Sequence, residues 1–245
     1  MRSTTRLGSV VGPMPTTTLQ RVLEPEVMDT PEEARDYDAM DHSAVNTAFC
    51  TDLLAMGPLG PTVLDVGTGT ALIPIELCKR AEGVRVVAVE LAVHMLALAK
   101  ENVARAGLEA RIALEEADAK AMPYPDAAFA TTVSNSIVHH IADPQLVLSE
   151  MGRVTRSGGL VFVRDLARPS TSAEVDRLVA LHGGTPPSDP AALPSFEHQR
   201  ELFRASLCAA LTVDEVIDIA NAAGLRGSAV HMTSVRHWTL TFRKP

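Results

Sequence analysis

Short apolar runs alternate with longer amphipathic segments over the central part of the chain, and this alternation restricts the folds that the chain can adopt. The short runs have the length and composition of buried strands, and the longer segments have the apolar spacing of helices. Strands that alternate with helices of about 10–15 residues form βαβ units and a mostly parallel sheet. Right-handed crossovers then place helices on both faces, so the sequence predicts a doubly wound, Rossmann-like α/β fold.

The predicted elements follow one another without an internal repeat. Five strands are predicted at 62–66, 84–89, 111–115, 129–134 and 160–164. Helices are predicted between them at 71–80, 92–106 and 144–154. Near the C-terminus, a helix is predicted at 212–223 and begins with a capping box of Thr212 and Glu215. Two final strands are predicted at 228–233 and 237–242, and they are close enough in sequence to be antiparallel neighbours.

Three regions divide the chain. Residues 1–20 are rich in Ser, Thr, Gly and Pro, which predicts a disordered N-terminal segment. Residues 21–57 are predicted to be largely helical, with Pro31 in a first helical turn and Gly57 near the end. Residues 58–245 form the main domain, in which 168–207 breaks the alternation and indicates a helical insertion.

A glycine turn links the first strand to the first helix of the main domain. Gly67 and Gly69 permit positive φ and let the backbone approach a ligand closely. A dinucleotide-binding G-x-G-x-x-G loop needs a third small residue at position 72, where this chain has Leu72. The third small residue is Ala71 instead, so the spacing disfavours a nicotinamide-dependent oxidoreductase.

Glu90 ends the second strand, downstream of the glycine turn. A carboxylate at this strand tip lies beside the glycine loop and can accept hydrogen bonds from both hydroxyls of a ribose. An isolated glutamate here would be read as a solvated strand-end charge, but the glycine loop upstream favours ribose binding.

With these features the chain resembles the class I S-adenosylmethionine-dependent methyltransferases, in particular the small-molecule branch that includes quinone and sterol methyltransferases. The resemblance covers residues 60–165 and, more loosely, the C-terminal helix and strand pair. Five segments carry it in the family's order: the acidic glycine loop at 65–71, Glu90, Asp118 with the Met-Pro-Tyr-Pro-Asp run at 122–126, the strand-four segment at 133–141, and the Gly-Gly turn at 156–159. Ala71, where the family has glycine, is a departure.

The resemblance implies a seven-stranded sheet with an antiparallel C-terminal strand pair, and S-adenosylmethionine as the cofactor. It implies that Glu90 binds the ribose, that Asp118 lies at the adenine edge and that Asp65 holds the cofactor's ammonium group, directly or through water. The other residues predicted to contact the cofactor are Tyr37, Gly67, Thr68, Gly69, Leu91, Ala119, Ser134 and Asn135. The implied reaction is in-line methyl transfer to a small-molecule acceptor.

Two histidines are the candidate catalytic residues. His139 and His140 follow the fourth strand, at the carboxyl edge where open α/β sheets bind ligands. An oxygen or carbon nucleophile can need a base, and an imidazole titrates near neutrality. The alternative is that both side chains only pack and hydrogen-bond.

Two flanking regions supply the predicted acceptor contacts. Helical spacing places several polar groups on one face, namely Glu33, Tyr37, Asp41 and the pair His42 and Asn46. This is either a solvated face or, as the resemblance implies for Tyr37, His42 and Asn46, part of a lid. Phe196 and Arg200 in the insertion would shape the acceptor pocket from the other side. The histidines and acids show no metal-ligand spacing, so no metal site is predicted.

The charge and the amino-acid composition disfavour some classes of binding partner. The formal net charge is −8 and no Lys/Arg run exceeds two residues, which disfavours a nucleic-acid partner. No apolar run approaches the ~18 residues of a spanning helix, and three scattered cysteines indicate buried thiols. We therefore expect a soluble, cytoplasmic enzyme without membrane insertion. The alternatives are an RNA or protein methyltransferase and a non-catalytic S-adenosylmethionine-binding module.

Overall fold

A computed structural model describes residues 19–24 and 30–245 of the chain. Most of the predicted disordered segment, residues 1–18, lies outside the described residues, as do residues 25–29 of the predicted helical region.

A central sheet of seven strands organises the structure. The strands are β1 (Thr62–Val66), β2 (Arg85–Glu90), β3 (Ile112–Glu116), β4 (Phe129–Asn135), β5 (Thr155–Leu166), β6 (Ala229–Met232) and β7 (His237–Arg243). Their order is β3-β2-β1-β4-β5-β7-β6. Strands β1 to β5 pair in parallel, and β7 is antiparallel to both β5 and β6. The predicted fold class is therefore confirmed.

Helices cover both faces of this sheet. They are α1 (Pro31–Asp38), α2 (Ser43–Ala55), α3 (Leu72–Arg80), α4 (Val93–Ala106), α5 (Pro144–Val154), α6 (Ser172–His182), α7 (Leu193–Ala209) and α8 (Val213–Ala222). Successive residues of β1 point to opposite faces: Val63 joins an apolar cluster with α2, α3 and α4, and Leu64 joins one with α5 and α8. Both layers are therefore anchored on the same short strand.

Strand β5 begins five residues before the predicted start. Thr155 pairs with Phe129, but the next pair is Leu160 with Thr131, so the residues between form an irregularity in the register. Gly158 has a φ of 73°, a conformation that favours glycine. The sequence indicated a turn at the two glycines, whereas the strand continues on both sides of a bulge.

The N-terminal helices pack against the domain at the side of the glycine turn. Thr30 and Glu33 form a capping box at the start of α1, and the chain turns between α1 and α2 at residues 39–42. Ala34 of α1 packs with Met95 of α4, and Phe49 of α2 packs edge-on against Phe162 of β5. Among the described residues, no helix is long and apolar enough to cross a membrane.

The segment predicted as an insertion contains α6 and α7. Leu178 and Leu207 pack with Leu166 at the end of β5. A Pro-containing 3-10 turn directly precedes α7.

Candidate functional site

Two adjoining cavities open at the carboxyl ends of β1, β2 and β4, the edge where ligands bind in open α/β sheets. Tyr37, Gly67 and Asn135 line both of them. The larger cavity is also lined by Gly69, Val89, Glu90, Leu91, Ala92, Met95, Ala117, Asp118, Ala119, Lys120, Ser136, Ile137, His140 and Ile141. The smaller one is also lined by Asn46, Asp65, Thr68, Thr70, Leu72 and Ile73.

The glycine turn separates the cavities and is held against β2. The backbone N–H groups of Gly67 and Thr68 both donate to the carbonyl oxygen of Val89, at 2.9 Å. Gly67 has a φ of 71°, and a Cβ at this position would lie 2.4 Å from Cγ2 of Ile137. Both the backbone conformation and the space therefore require glycine. Ala71, which replaces the family's last glycine, has a φ of 64°.

The side chain of Glu90 is fixed at the wall of the larger cavity by backbone donors. One carboxylate oxygen accepts the N–H of Gly69 at 2.8 Å, and the other accepts the N–H groups of Leu91 and Ala92 at 2.9 Å. These bonds orient both oxygens, each of which retains capacity to accept from a ligand hydroxyl.

Asp118 lies farther along the same cavity. Its carboxylate accepts the backbone N–H of Lys120 at 2.8 Å and lies 3.1 Å from Nζ of the same lysine. Burial raises the pKa of Asp118, but the hydrogen bonds from Lys120 outweigh this effect and hold the pKa below its usual range. The lining of the same cavity includes the apolar side chains of Leu91, Met95 and Ile141, which suit an aromatic ring.

The smaller cavity contains polar atoms that lack partners. Oδ2 of Asp65 and the hydroxyl oxygens of Thr68 and Thr70 are buried and form no hydrogen bond within the described residues. Asp65 is 2% exposed, and burial raises its pKa to about 7 although the neighbouring Thr68 side chain acts in the opposite direction. A buried carboxylate oxygen without a partner is costly, so the site is complementary to a cationic group.

The two histidines occupy different positions. His140 lines the larger cavity, whereas His139 is 3% exposed and lies behind it. Nδ1 of His139 lies 2.5 Å from a carboxylate oxygen of Asp165, whose other oxygen accepts the backbone N–H of His139. Burial lowers the pKa of His139, but the charge and hydrogen bond of Asp165 raise it above the usual range.

Asp165 and Glu24 are polar neighbours of these histidines that sequence reasoning missed. Oε1 of Glu24 lies 3.5 Å from Nε2 of His139 and 3.2 Å from Nδ1 of His140. Asp165 could have been found, because it lies at the carboxyl end of β5, next to β4 in the sheet. Glu24 lies outside any helix or strand, although residues 21–57 were predicted to be largely helical, and no sequence signal placed it beside the histidines.

Besides His139, four predicted residues line neither of these two cavities. Ser134 is fully buried and donates to the carbonyl oxygen of Val66, which ties β4 to β1. His42 packs its ring against Tyr37, with centroids 4.6 Å apart. Phe196 and Arg200 contact each other on α7, with the guanidinium 5.5 Å from the ring centroid.

The arrangement fits S-adenosylmethionine. Glu90 offers acceptors for sugar hydroxyls, the apolar end beside Asp118 suits a base, and the unpaired Asp65 carboxylate suits an ammonium group. The carboxylates at both cavities also make them unsuitable for a bare phosphate, which would need unopposed backbone donors.

Comparison with known proteins identifies the domain type. Residues 64–163 match the family of the methyltransferase domain. The chain is 39% identical over 110 residues to phosphatidylethanolamine N-methyltransferase of Cereibacter sphaeroides, covering 44% of this chain and 53% of that protein. It is 36% identical over 120 residues to demethylmenaquinone methyltransferase of Thermus thermophilus, covering 49% of this chain and 54% of that protein.

A solved structure has the same fold over most of the chain. It is a SAM-dependent methyltransferase from Aquifex aeolicus, with a TM-score of 0.63 and 21% identity, covering 87% of this chain and 97% of that one. The chain spans about half the length of the curated relatives that it matches. Residues 64–163 therefore form a methyltransferase domain, and the segments that resemble the class I S-adenosylmethionine-dependent methyltransferases lie within it.

Proposed function

We propose that the chain transfers a methyl group from S-adenosylmethionine to a small-molecule acceptor. The observation that carries this proposal is the junction of the two cavities at Tyr37, Gly67 and Asn135. One cavity offers acceptors for sugar hydroxyls and the other an unpaired carboxylate, so a single ligand that bridges them satisfies both.

Different residues hold the ribose, the base and the ammonium group of the cofactor. Glu90 binds the ribose hydroxyls, and Asp118, Ala119 and Leu91 surround the base. Asp65 holds the ammonium group, with Thr68 beside it. With these contacts the sulfonium would lie near the glycine turn. The bound cofactor would supply its methyl group: an acceptor atom bonds to the methyl carbon as the bond from carbon to sulfur breaks, and neutral S-adenosylhomocysteine leaves.

The acceptor binds beside His140. This side chain lines the larger cavity, and so does the apolar Ile141 that follows it. We assign the histidine pair to promoting loss of a proton from the acceptor. His140 acts from the cavity wall, and His139 is a positioning residue held by Asp165. Tyr37, between the cavities, holds the cofactor and helps to exclude water, which favours reaction between groups already in contact.

Two observations support a small acceptor over a macromolecule. Two of the relatives carry the names phosphatidylethanolamine N-methyltransferase and demethylmenaquinone methyltransferase, which are enzymes with small-molecule acceptors. The formal net charge of −8 also disfavours an RNA substrate. His42, Asn46, Phe196 and Arg200 remain the proposed acceptor contacts, of which Asn46 lines the smaller cavity.

The test is an acceptor screen with S-adenosylmethionine carrying a labelled methyl group. The panel contains phenols, quinones, amines and thiols, and the readouts are formation of S-adenosylhomocysteine and label in the acceptor. We expect acceptor-dependent turnover that Glu90→Ala removes. Tight cofactor binding without turnover on any class would favour the binding module, and label in RNA or protein would favour a macromolecular substrate.

A further inference from the structure

Three side chains that can ligate a metal converge beside the larger cavity. The carboxylate of Glu24 and one ring nitrogen each of His139 and His140 lie within 4.8 Å of one another. We infer that these three residues form a binding site for a divalent transition-metal ion. The predicted absence of a metal site rested on sequence spacing, and these ligands come from two distant parts of the chain.

The distances suit direct coordination. Oε1 of Glu24 lies 3.5 Å from Nε2 of His139 and 3.2 Å from Nδ1 of His140. Two ligand atoms that are each about 2.0–2.1 Å from a tetrahedral ion are separated by roughly 3.3 Å. Both separations from Glu24 are close to this value, and the two histidine nitrogens, which lie within 4.8 Å of each other, could approach to accept an ion.

The carboxylate oxygen between the histidines lacks a hydrogen bond. Oε1 of Glu24 is buried and forms none within the described residues, whereas Oε2 accepts from the hydroxyl of Ser206 at 3.4 Å. The Glu24 side chain is 11% exposed and that of His139 is 4% exposed. A buried anionic oxygen aimed at two imidazoles is the arrangement that a cation satisfies.

Asp165 supplies the support that a histidine ligand requires. It accepts from Nδ1 of His139, which leaves Nε2 as the nitrogen that faces Glu24. Asp165 is in turn fixed by the backbone N–H groups of His139 and Leu166. Metal-bound histidines usually donate their second ring nitrogen to a carboxylate in this way, and the partner fixes the tautomer and ring orientation.

The segment that carries Glu24 is anchored to the domain. The guanidinium of Arg21 donates to the carbonyl oxygens of His139, Ile141 and Ala209 at 3.1, 3.0 and 2.7 Å. The backbone N–H of Val22 donates to the carbonyl oxygen of Cys208 at 3.1 Å. Glu24 is thus tied to the same turn that carries both histidines, as a ligand from a distant segment must be.

The donor set selects the ion class. Two imidazoles and one carboxylate suit zinc, iron(II) or cobalt(II), whereas magnesium and calcium prefer oxygen ligands alone. The two negative charges of Glu24 and Asp165 offset the two positive charges of such an ion. A cationic sulfonium in the adjoining cavity is therefore tolerated.

His140 connects this site to the cavity wall, so an acceptor oxygen can reach a remaining coordination position. A bound divalent ion lowers the pKa of an oxygen ligand and would assist loss of its proton. This role rests on the proposed function, whereas binding of the ion does not.

The test measures metal alone, without cofactor or acceptor. The full-length protein is treated with chelator, desalted and titrated calorimetrically with zinc, and cobalt is used in parallel for its absorption spectrum. We expect one ion per chain, with at least a tenfold loss of affinity in Glu24→Gln and in His140→Ala. The matched controls Glu82→Gln and His231→Ala change exposed side chains far from the site and should bind as the wild type does.

The cobalt spectrum separates this site from adventitious binding. We expect bands of a nitrogen- and oxygen-ligated ion that both Glu24→Gln and His140→Ala remove, in variants whose thermal unfolding shows that they are folded. Absence of zinc binding to the folded wild type, or equal binding by both site variants, overturns the inference. Either result leaves methyl transfer to be judged by the acceptor screen.

Discussion

The carboxylate of Glu90 accepts a hydrogen bond from the backbone N–H of Gly69 at 2.8 Å, so the acidic end of β2 and the glycine turn after β1 form one unit. The second oxygen of Glu90 accepts the N–H groups of Leu91 and Ala92 at the start of α4. Glu90 therefore has two roles: it orients the turn and presents acceptors to the cavity.

Replacing Glu90 should weaken cofactor binding. We expect Glu90→Ala to raise the dissociation constant for S-adenosylmethionine about ten- to a hundredfold, because charge-assisted hydrogen bonds to a ligand hydroxyl are lost. Calorimetric titration measures the change. The control is Glu116→Ala, an exposed carboxylate opposite Glu90 on β3, which should bind normally. Equal affinity in the wild type and Glu90→Ala would refute the assigned role.

Two glycine substitutions distinguish the effect of a steric clash from the effect of backbone strain. Gly67 and Gly83 both have positive φ, but a Cβ at Gly67 meets Ile137, whereas nothing lies within 4 Å of one at Gly83. We expect Gly83→Ala to lower the free energy of unfolding by about 1–2 kcal/mol and to leave cofactor binding unchanged. Gly67→Ala should cost more and abolish binding. Chemical unfolding and calorimetry test both, and normal binding by Gly67→Ala would contradict the account.

The buried carboxylate of Asp65 should make stability depend on pH. Its pKa is raised to about 7 by burial, so between about pH 4 and pH 7 the folded protein binds a proton that the unfolded chain has released. The free energy of unfolding therefore decreases as pH rises through this window. We expect Asp65→Asn to remove this slope and to stabilise the cofactor-free protein by about 1–3 kcal/mol at pH 8.

Urea unfolding at pH 5 and pH 8 measures this effect, with the exposed Asp218→Asn as the control. The same Asp65→Asn variant should bind S-adenosylmethionine more weakly, because the partner of the ammonium group has lost its charge. A variant that is less stable than the wild type at pH 8 would show that Asp65 already has a compensating partner in the cofactor-free protein.

Tyr37 should contribute through its ring. It lines both cavities and packs against His42, and a Cβ on Gly69 would lie 3.8 Å from its Cε1 atom. We expect Tyr37→Phe to retain cofactor affinity and Tyr37→Ala to reduce it at least tenfold. Only the second change removes the ring that lies between the N-terminal helices and the glycine turn. A large loss in Tyr37→Phe would instead assign the binding energy to the hydroxyl.

The strands of the sheet could be predicted because each is marked by residues that are close together in the sequence. Strand β1 is apolar on both faces, glycines mark its end, and the observed bounds agree with the expected ones at Thr62–Val66. The length of β5 could not be predicted, because the pairing of Thr155 with Phe129 across a bulge depends on the neighbouring strand. Residues Ser134 and Val66 illustrate a related limit, since a hydroxyl at a strand end can bond another strand instead of facing a cavity.

The cofactor side could be predicted where residues close in sequence form one turn, as Gly67 and Gly69 do. The surroundings of the two histidines could be predicted only in part, because Glu24 comes from a distant segment that only the folded chain brings to His139. Arg200, predicted to shape the acceptor pocket, stacks on Phe196 of the same helix, and its role there stays a prediction.

The most direct measurement is calorimetric titration of the purified wild-type chain with S-adenosylhomocysteine, with NADH as the comparison ligand. The account predicts one site per chain with micromolar affinity and no heat of binding for NADH. A folded protein that binds no S-adenosylhomocysteine would contradict the assignment of both cavities and of the glycine turn.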